Sequence, residues 1–187
     1  MKIAVITLGC PKNLVDTEVM LGLLAEEGHE FAADPSQADT VIVSTCSFIS
    51  AAVQESREVI EDVLALKARG SVERVVVAGC LPQRFGETTW DMFPGVDAVV
   101  GCSDFESIGD VVREVASGRS VFAVGSPDAL YDETSPRVLG TPRHLAYVKI
   151  ADGCDNRCAY CTIPSIRGTM RSRTIESVTR EVADLVR

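Results

Sequence analysis

The chain has 187 residues, 46% of them hydrophobic and 24% charged, which is apolar material for one full domain and an appendage but not for two large domains. Asp and Glu number 27 against 18 Lys and Arg, a formal charge of −9, which argues against capture of nucleic acid by a generally basic surface. No apolar run reaches the roughly 18 residues of a membrane span, and the opening MKIAVITLGCPK lacks a secretory processing pattern, so the expectation is a soluble cytoplasmic protein with no membrane partner.

Residues 2–8, KIAVITL, read as a buried strand because apolar and β-branched residues nearly fill them. Asn13 then suits the cap of a helix running to about Glu27, with Asp16 three positions on in a weak capping box, and Gly28 and His29 ending it. TVIVST, 40–45, is the second strand, followed at once by Cys46, and a helix spans Ser50 to about Arg69. RVVVAG, 74–79, ends at Cys80; DAVVG, 97–101, ends at Cys102; a helix near 104–116 and a short strand around 120–124 follow. Strands alternating with helices predict an α/β fold, a parallel sheet with helices on both faces, since parallel strands need crossovers that are usually helical.

Charge divides the chain. Residues 1–136 hold 9 basic and 22 acidic side chains, whereas 137–187 hold 9 basic and 5 acidic. The change falls in GSPDALYDETSPRVLGTPRH, whose Pro, Gly, Ser and acidic residues read as a connector. The boundary is placed so that 1–139 form the first domain and 140–187 a linker and the start of a second. HLAYVKI, 144–150, reads as a strand feeding the loop ADGCDNRCAYCTIP, and 174–187 as a crossover helix.

Seven cysteines remain: Cys10, Cys46, Cys80, Cys102, Cys154, Cys158 and Cys161. An odd number in a chain this apolar disfavours a disulfide framework and turns attention to metal or cluster ligation. Cys10, Cys46 and Cys80 each follow a strand, so a parallel sheet would bring them to one edge, where ligand loops converge; each taken alone is also at home as a small buried residue. Cys102 occupies a similar position with an ordinary packing role equally open. Cys154, Cys158 and Cys161 form C-x3-C-x2-C. A structural zinc ion would need a fourth ligand, borrowed from Cys102 or His144. Three thiolates alone suit a cluster with one open iron, and the spacing differs by one residue from the bacterial ferredoxin run.

At this point the residues carry a resemblance. C-x3-C-x2-C after a strand resembles the cluster motif of radical S-adenosylmethionine enzymes, and LGCPKNLVDTE, STCSFI and AGCLPQRF resemble the three cysteine segments of their methylthiotransferase family. PKNLVD and KIADGCDNRCAYCTIPSIRG are closer to the branch that modifies a small-subunit ribosomal protein than to the branch that modifies transfer RNA. Ser44 and Ser47 stand where Asn and Gly are common, and Cys102 lies outside the pattern.

The resemblance implies two 4Fe-4S clusters, one on Cys10, Cys46 and Cys80 and one on Cys154, Cys158 and Cys161, the second binding S-adenosyl-L-methionine and carrying the radical chemistry. It further implies methylthiolation of an aspartate β carbon in ribosomal protein twelve, with ferredoxin or flavodoxin as electron donor. A transfer RNA substrate, or an electron-transfer module without catalysis, are the alternatives. Tyr160 would lie against the adenine or shield the cluster, Gly153 would allow the close approach before Cys154, and Pro11 with Lys12 would shape the loop at the first cluster. Arg167, Arg171 and Arg173 would meet carboxylates or neighbouring loops. Only 26 residues follow Cys161, room for one loop and one helix of a β/α barrel, so the isolated chain is expected to be an inactive fragment of the parent enzyme.

Overall fold

The computed structural model describes residues 1–186, so the final position of the helix expected over 174–187 lies outside the described residues. Five of the expected strands form: β1 (Lys2–Thr7), β3 (Thr40–Thr45), β4 (Arg74–Gly79), β5 (Ala98–Gly101) and β6 (Val121–Ala123). A two-residue strand, β2 (Glu30–Phe31), joins them at one edge. The sheet runs β2-β1-β3-β4-β5-β6, and every neighbouring pair is parallel.

The residue pattern explains the layering. Ile3, Ile42, Val76 and Val100 face α1 (Pro11–Glu26) and α5 (Ile108–Ala116), while Ala4, Val41, Val43, Val75 and Val77 face α2 (Ser50–Ala68). Successive strand residues point to opposite faces, so the unbroken apolar runs supply both cores. Each fully buried Val or Ile contributes about 1.5–3 kcal/mol. Two short helices absent from the sequence reading, α3 (Cys80–Phe85) and α4 (Thr88–Met92), cross between β4 and β5.

The strand order reverses at β1: the chain passes from β1 to β2 on one side, then returns to β3 on the other. A crevice opens beyond the carboxyl ends at such a point. Cys10 follows β1 and Cys46 follows β3, so both stand at that crevice, with Cys80 one strand further on.

The expected strand over 144–150 does not form; residues 124–150 carry no helix or strand. Their polar groups are satisfied by side chains instead of a ladder. Lys149 N–H donates to the Tyr131 hydroxyl at 3.1 Å, and the Tyr147 carbonyl accepts from Arg137 at 2.6 Å. Beyond them, β7 (Ala151–Asp152) pairs antiparallel with β8 (Arg171–Ser172). The start of a parallel β/α barrel is therefore not seen in this segment: α6 (Ile163–Arg167) and α7 (Ile175–Leu185) form, but no second parallel strand lies beside β7 among the described residues.

This second region lies on α1 through buried ion pairs. Arg137 meets Glu18 at 2.5 Å and Glu181 at 2.6 Å, and Arg173 also pairs with Glu181. The charge asymmetry along the sequence thus reflects acids of the first region partnered by bases of the second.

Candidate functional site

Cys10 is the residue from which α1 springs, and Pro11, with its fixed φ and missing N–H, opens the helix. Asn13 is not the cap. It is buried one turn inside, where its amide donates to the carbonyls of Leu8 at 3.1 Å and Thr45 at 2.7 Å. Those two bonds tie the ends of β1 and β3 together and fix the direction of the amide oxygen. Gly9 sits at φ 91°, and a Cβ there would lie 2.5 Å from Cys46 Cβ, so only glycine lets the first loop pass this close to the second.

Cys46 is held by Ser56 of α2, whose hydroxyl accepts from the Cys46 N–H at 3.2 Å and donates to its carbonyl at 2.9 Å. Cys80 is held by Ser47, whose hydroxyl donates to its carbonyl at 2.8 Å. The Cys80 thiol lies 3.4 Å from Asn13 Oδ1 and accepts from Arg167 at 3.3 Å. Burial pushes it up to about 11, with the Arg167 charge opposing. A metal ion taken up by this sulfur at neutral pH would displace its proton.

All three cysteines line one cavity of about 610 Å³. Phe48, Ile49, Ile163 and Ile166 give it apolar walls, and Asp152, Gly153 and Arg167 of the second region close the far side. Among the described residues no three His, Cys, Asp or Glu side chains converge as a single metal ion requires. A polynuclear cluster makes a different demand, because each thiolate binds its own iron and the sulfurs stand further apart. Three sulfurs around a roomy cavity suit that group better than one ion.

The second triplet sits in the loop between β7 and α6. Cys154 and Cys161 are half-buried and Cys158 is exposed. The Cys154 N–H donates to the Gly168 carbonyl and the Cys161 N–H to the Cys158 carbonyl, both at 3.0 Å. Gly153 adopts φ 76°, and a Cβ there would stand 2.0 Å from the Thr169 carbonyl oxygen, so the close approach expected at this glycine exists, against backbone of the same chain. Tyr160 is 89% exposed and packs over none of the cysteines' cavity. Cys102 does not line that cavity but is buried behind its wall against Cys80 and Ile166, where its thiol donates to the Ile166 carbonyl at 3.1 Å and burial pushes it up to about 12. It serves packing.

The sequence reading missed the ion cluster behind the cysteines. Lys149 Nζ lies 2.5 Å from Asp16 and 3.2 Å from Asp152, Arg167 lies 2.6 Å from Asp16 and 3.3 Å from Asp152, and Lys12 lies 2.9 Å from Asp152. Burial alone would raise the Asp152 pKa, but Lys149, Arg167 and Lys12 outweigh it and hold the carboxyl well below the usual range. Burial would lower the Lys149 pKa, yet the two carboxylates keep it raised. The signal was the acidic pair Asp16 and Glu18 between the apolar residues of α1, together with the basic tail. Lys12 reaches Asp152 and the Ala151 carbonyl and so links the two cysteine loops. Arg167 and Arg173 do meet carboxylates, inside this chain, while Arg171 bonds backbone carbonyls.

Comparison with known proteins follows the same lines. The family described as Uncharacterized protein family UPF0004 matches residues 2–101. The protein of Heliobacterium modesticaldum called ribosomal protein uS12 methylthiotransferase RimO is 49% identical over 186 residues, covering 100% of this chain and 40% of that protein. The protein of the same name from Trichlorobacter lovleyi is 45% identical over 187 residues, 100% of this chain and 42% of its own length. The chain thus spans about two fifths of the curated relatives it matches. The solved radical S-adenosylmethionine methyltransferase TsrM of Kitasatospora setae, bound to tryptophan and a SAM analogue, superposes with a TM-score of 0.63 at 18% identity, over 98% of this chain and 45% of that one. That likeness is one of fold.

Proposed function

The chain belongs to the UPF0004 family and to the RimO-like methylthiotransferases, and from that premise we propose that its parent protein methylthiolates the β carbon of an aspartate in ribosomal protein uS12. The observation that carries this reading is the shared cavity: Cys10, Cys46 and Cys80 line it from the sheet edge, and Gly153, next to the second triplet, lines it from the other side.

Cys10, Cys46 and Cys80 would hold one 4Fe-4S cluster, and Cys154, Cys158 and Cys161 a second with one iron left open for S-adenosyl-L-methionine. Bound together, these groups supply the carbon radical and the sulfur and methyl donation that no amino-acid side chain provides. The chain's own residues prepare the place. Asn13, Ser47 and Ser56 fix the backbones that carry the first three thiols. Phe48, Ile49, Ile163 and Ile166 give the space beside the first three cysteines apolar walls, and a cluster seated against them would feel stronger charge interactions than in open water. Gly153 lets the second loop pass tightly across residues 168–169, and exposed Tyr160 offers a free ring for the cofactor's adenine. Among the described residues no helix is long and apolar enough to cross a membrane; a cytoplasmic setting with a ferredoxin or flavodoxin as donor belongs to this reading.

The test uses the full-length protein, reconstituted anaerobically with iron and sulfide and supplied with S-adenosyl-L-methionine and a reductant. Offered uS12 and transfer RNA separately, it is expected to add the methylthio mass to one aspartate of uS12. Mass gain confined to transfer RNA would overturn the substrate assignment.

A further inference from the structure

We propose that Arg167, carried by the second region, is a positioning residue of the first cysteine site, setting the reduction potential of the group held there through its bond to Cys80. The inference rests on the reading that Cys10, Cys46 and Cys80 hold a cluster.

The side chain reaches from the end of α6 to the tip of β4. One guanidinium nitrogen donates to Asp16 at 2.6 Å and Asp152 at 3.3 Å, and the other donates to Asn13 Oδ1 at 2.7 Å and Cys80 Sγ at 3.3 Å. Asn13 is in turn fixed by its two backbone acceptors. The guanidinium is therefore clamped on three oxygens, with its remaining contact aimed at a sulfur. A buried cation is unfavourable without a counter-charge, and the side chain is only 6% exposed.

The charges in this cluster do not balance. Lys12, Lys149 and Arg167 share the carboxylates of Asp16 and Asp152, which leaves one positive charge over, with Lys12 the outermost at 43% exposed. As an iron ligand Cys80 would be a thiolate, and that form would supply the missing negative charge at the end of the Arg167 fork. A charge-assisted bond to a thiolate ligand favours the more negative, reduced form of a cluster and raises its potential. Because α6 follows Cys161 directly, the segment that carries the second triplet also tunes the first site.

The experiment takes the full-length protein with Cys154→Ala, Cys158→Ala and Cys161→Ala as background, so that only the first site is read, reconstitutes it anaerobically with iron and sulfide, and follows an EPR-monitored redox titration. Arg167→Gln is expected to lower the midpoint potential without changing iron or sulfide per chain, and Arg167→Lys, which keeps the charge and loses the fork, to fall between. Should Arg167→Gln unfold the chain because Asp16 then keeps Lys149 as its one cation among these groups, the pair Arg167→Gln with Asp16→Asn trims both sides of the lost contact and is expected to show the same lowering. An unchanged midpoint at full iron content overturns the inference. So does loss of iron from both variants while circular dichroism shows them folded, which would make Arg167 structural. The underlying reading fails separately, if Cys80→Ala in the same background keeps its full iron.

Discussion

The two cysteine sets are presented by regions built on different physics. The first hangs from the tips of β1, β3 and β4, whose side chains are packed in two apolar cores. The second lies in a loop of a region with two-residue strands, held to α1 by Arg137, Lys149 and Arg167. Apolar burial is non-directional and spread over many residues, so it places the first three thiols whatever happens to any one contact. Ion pairs concentrate the hold in a few groups, and losing one strands its partner. The first site is set by the sheet; the second is set by electrostatics.

Arg137→Met would break that contrast most severely. It leaves Glu18 and Glu181, both buried, without their shared cation. Removing one partner of a buried pair costs about 3–5 kcal/mol, expected as an early urea transition that releases the second region, read by amide hydrogen exchange in α7, while the sheet's circular dichroism holds. A single transition shifted as a whole would mean that the two regions unfold as one unit.

Ile42→Val sharpens the other side. Deleting one methyl from the core of β3 is expected to cost about 0.5–1.5 kcal/mol, leaving the cysteine positions and the iron content unchanged. Loss of iron from so small a cavity would show that the sheet edge is less tolerant than its packing implies.

The smallest effect is one of pH. Lys149 has a raised pKa in the folded chain, so its contribution is complete below the unfolded lysine value of about 10.4 and is lost as pH rises through the folded value. The difference in stability between the wild-type chain and Lys149→Met is expected to stay constant from pH 7 to 9 and shrink above about pH 10.4. A difference that grows in that range would contradict the paired lysine.

The sheet was legible because KIAVIT, TVIVST and RVVVAG are apolar and β-branched over most of their length, and the meeting of Cys10, Cys46 and Cys80 at one cavity was legible because a cysteine follows each of these strands. Short or sideways features were not. Glu30 and Phe31 form an edge strand too brief for any period, and Cys80 starts α3 with no loop between, so nothing in the residue pattern separates strand from helix. Asn13 looked like a cap because its type favours one, but an amide one turn in does more by bonding two strand ends. HLAYVKI has the composition of a strand but pairs with no neighbouring strand among the described residues, and pairing is a property of the fold that no local reading contains. The ion cluster joins Asp16 to Lys149 and Arg167, more than 130 positions away, and the acids within α1 with the uneven charge along the chain were what announced it.

The most direct measurement is iron and acid-labile sulfide per chain after anaerobic reconstitution, compared among wild type, Cys10→Ala with Cys46→Ala and Cys80→Ala, and Cys154→Ala with Cys158→Ala and Cys161→Ala. The account predicts that each triple variant loses half of the iron and sulfide and keeps the EPR signal of the site left intact. If the chain lacking Cys10, Cys46 and Cys80 binds as much iron as the wild type, the strand-tip thiols hold no cluster and the account is contradicted.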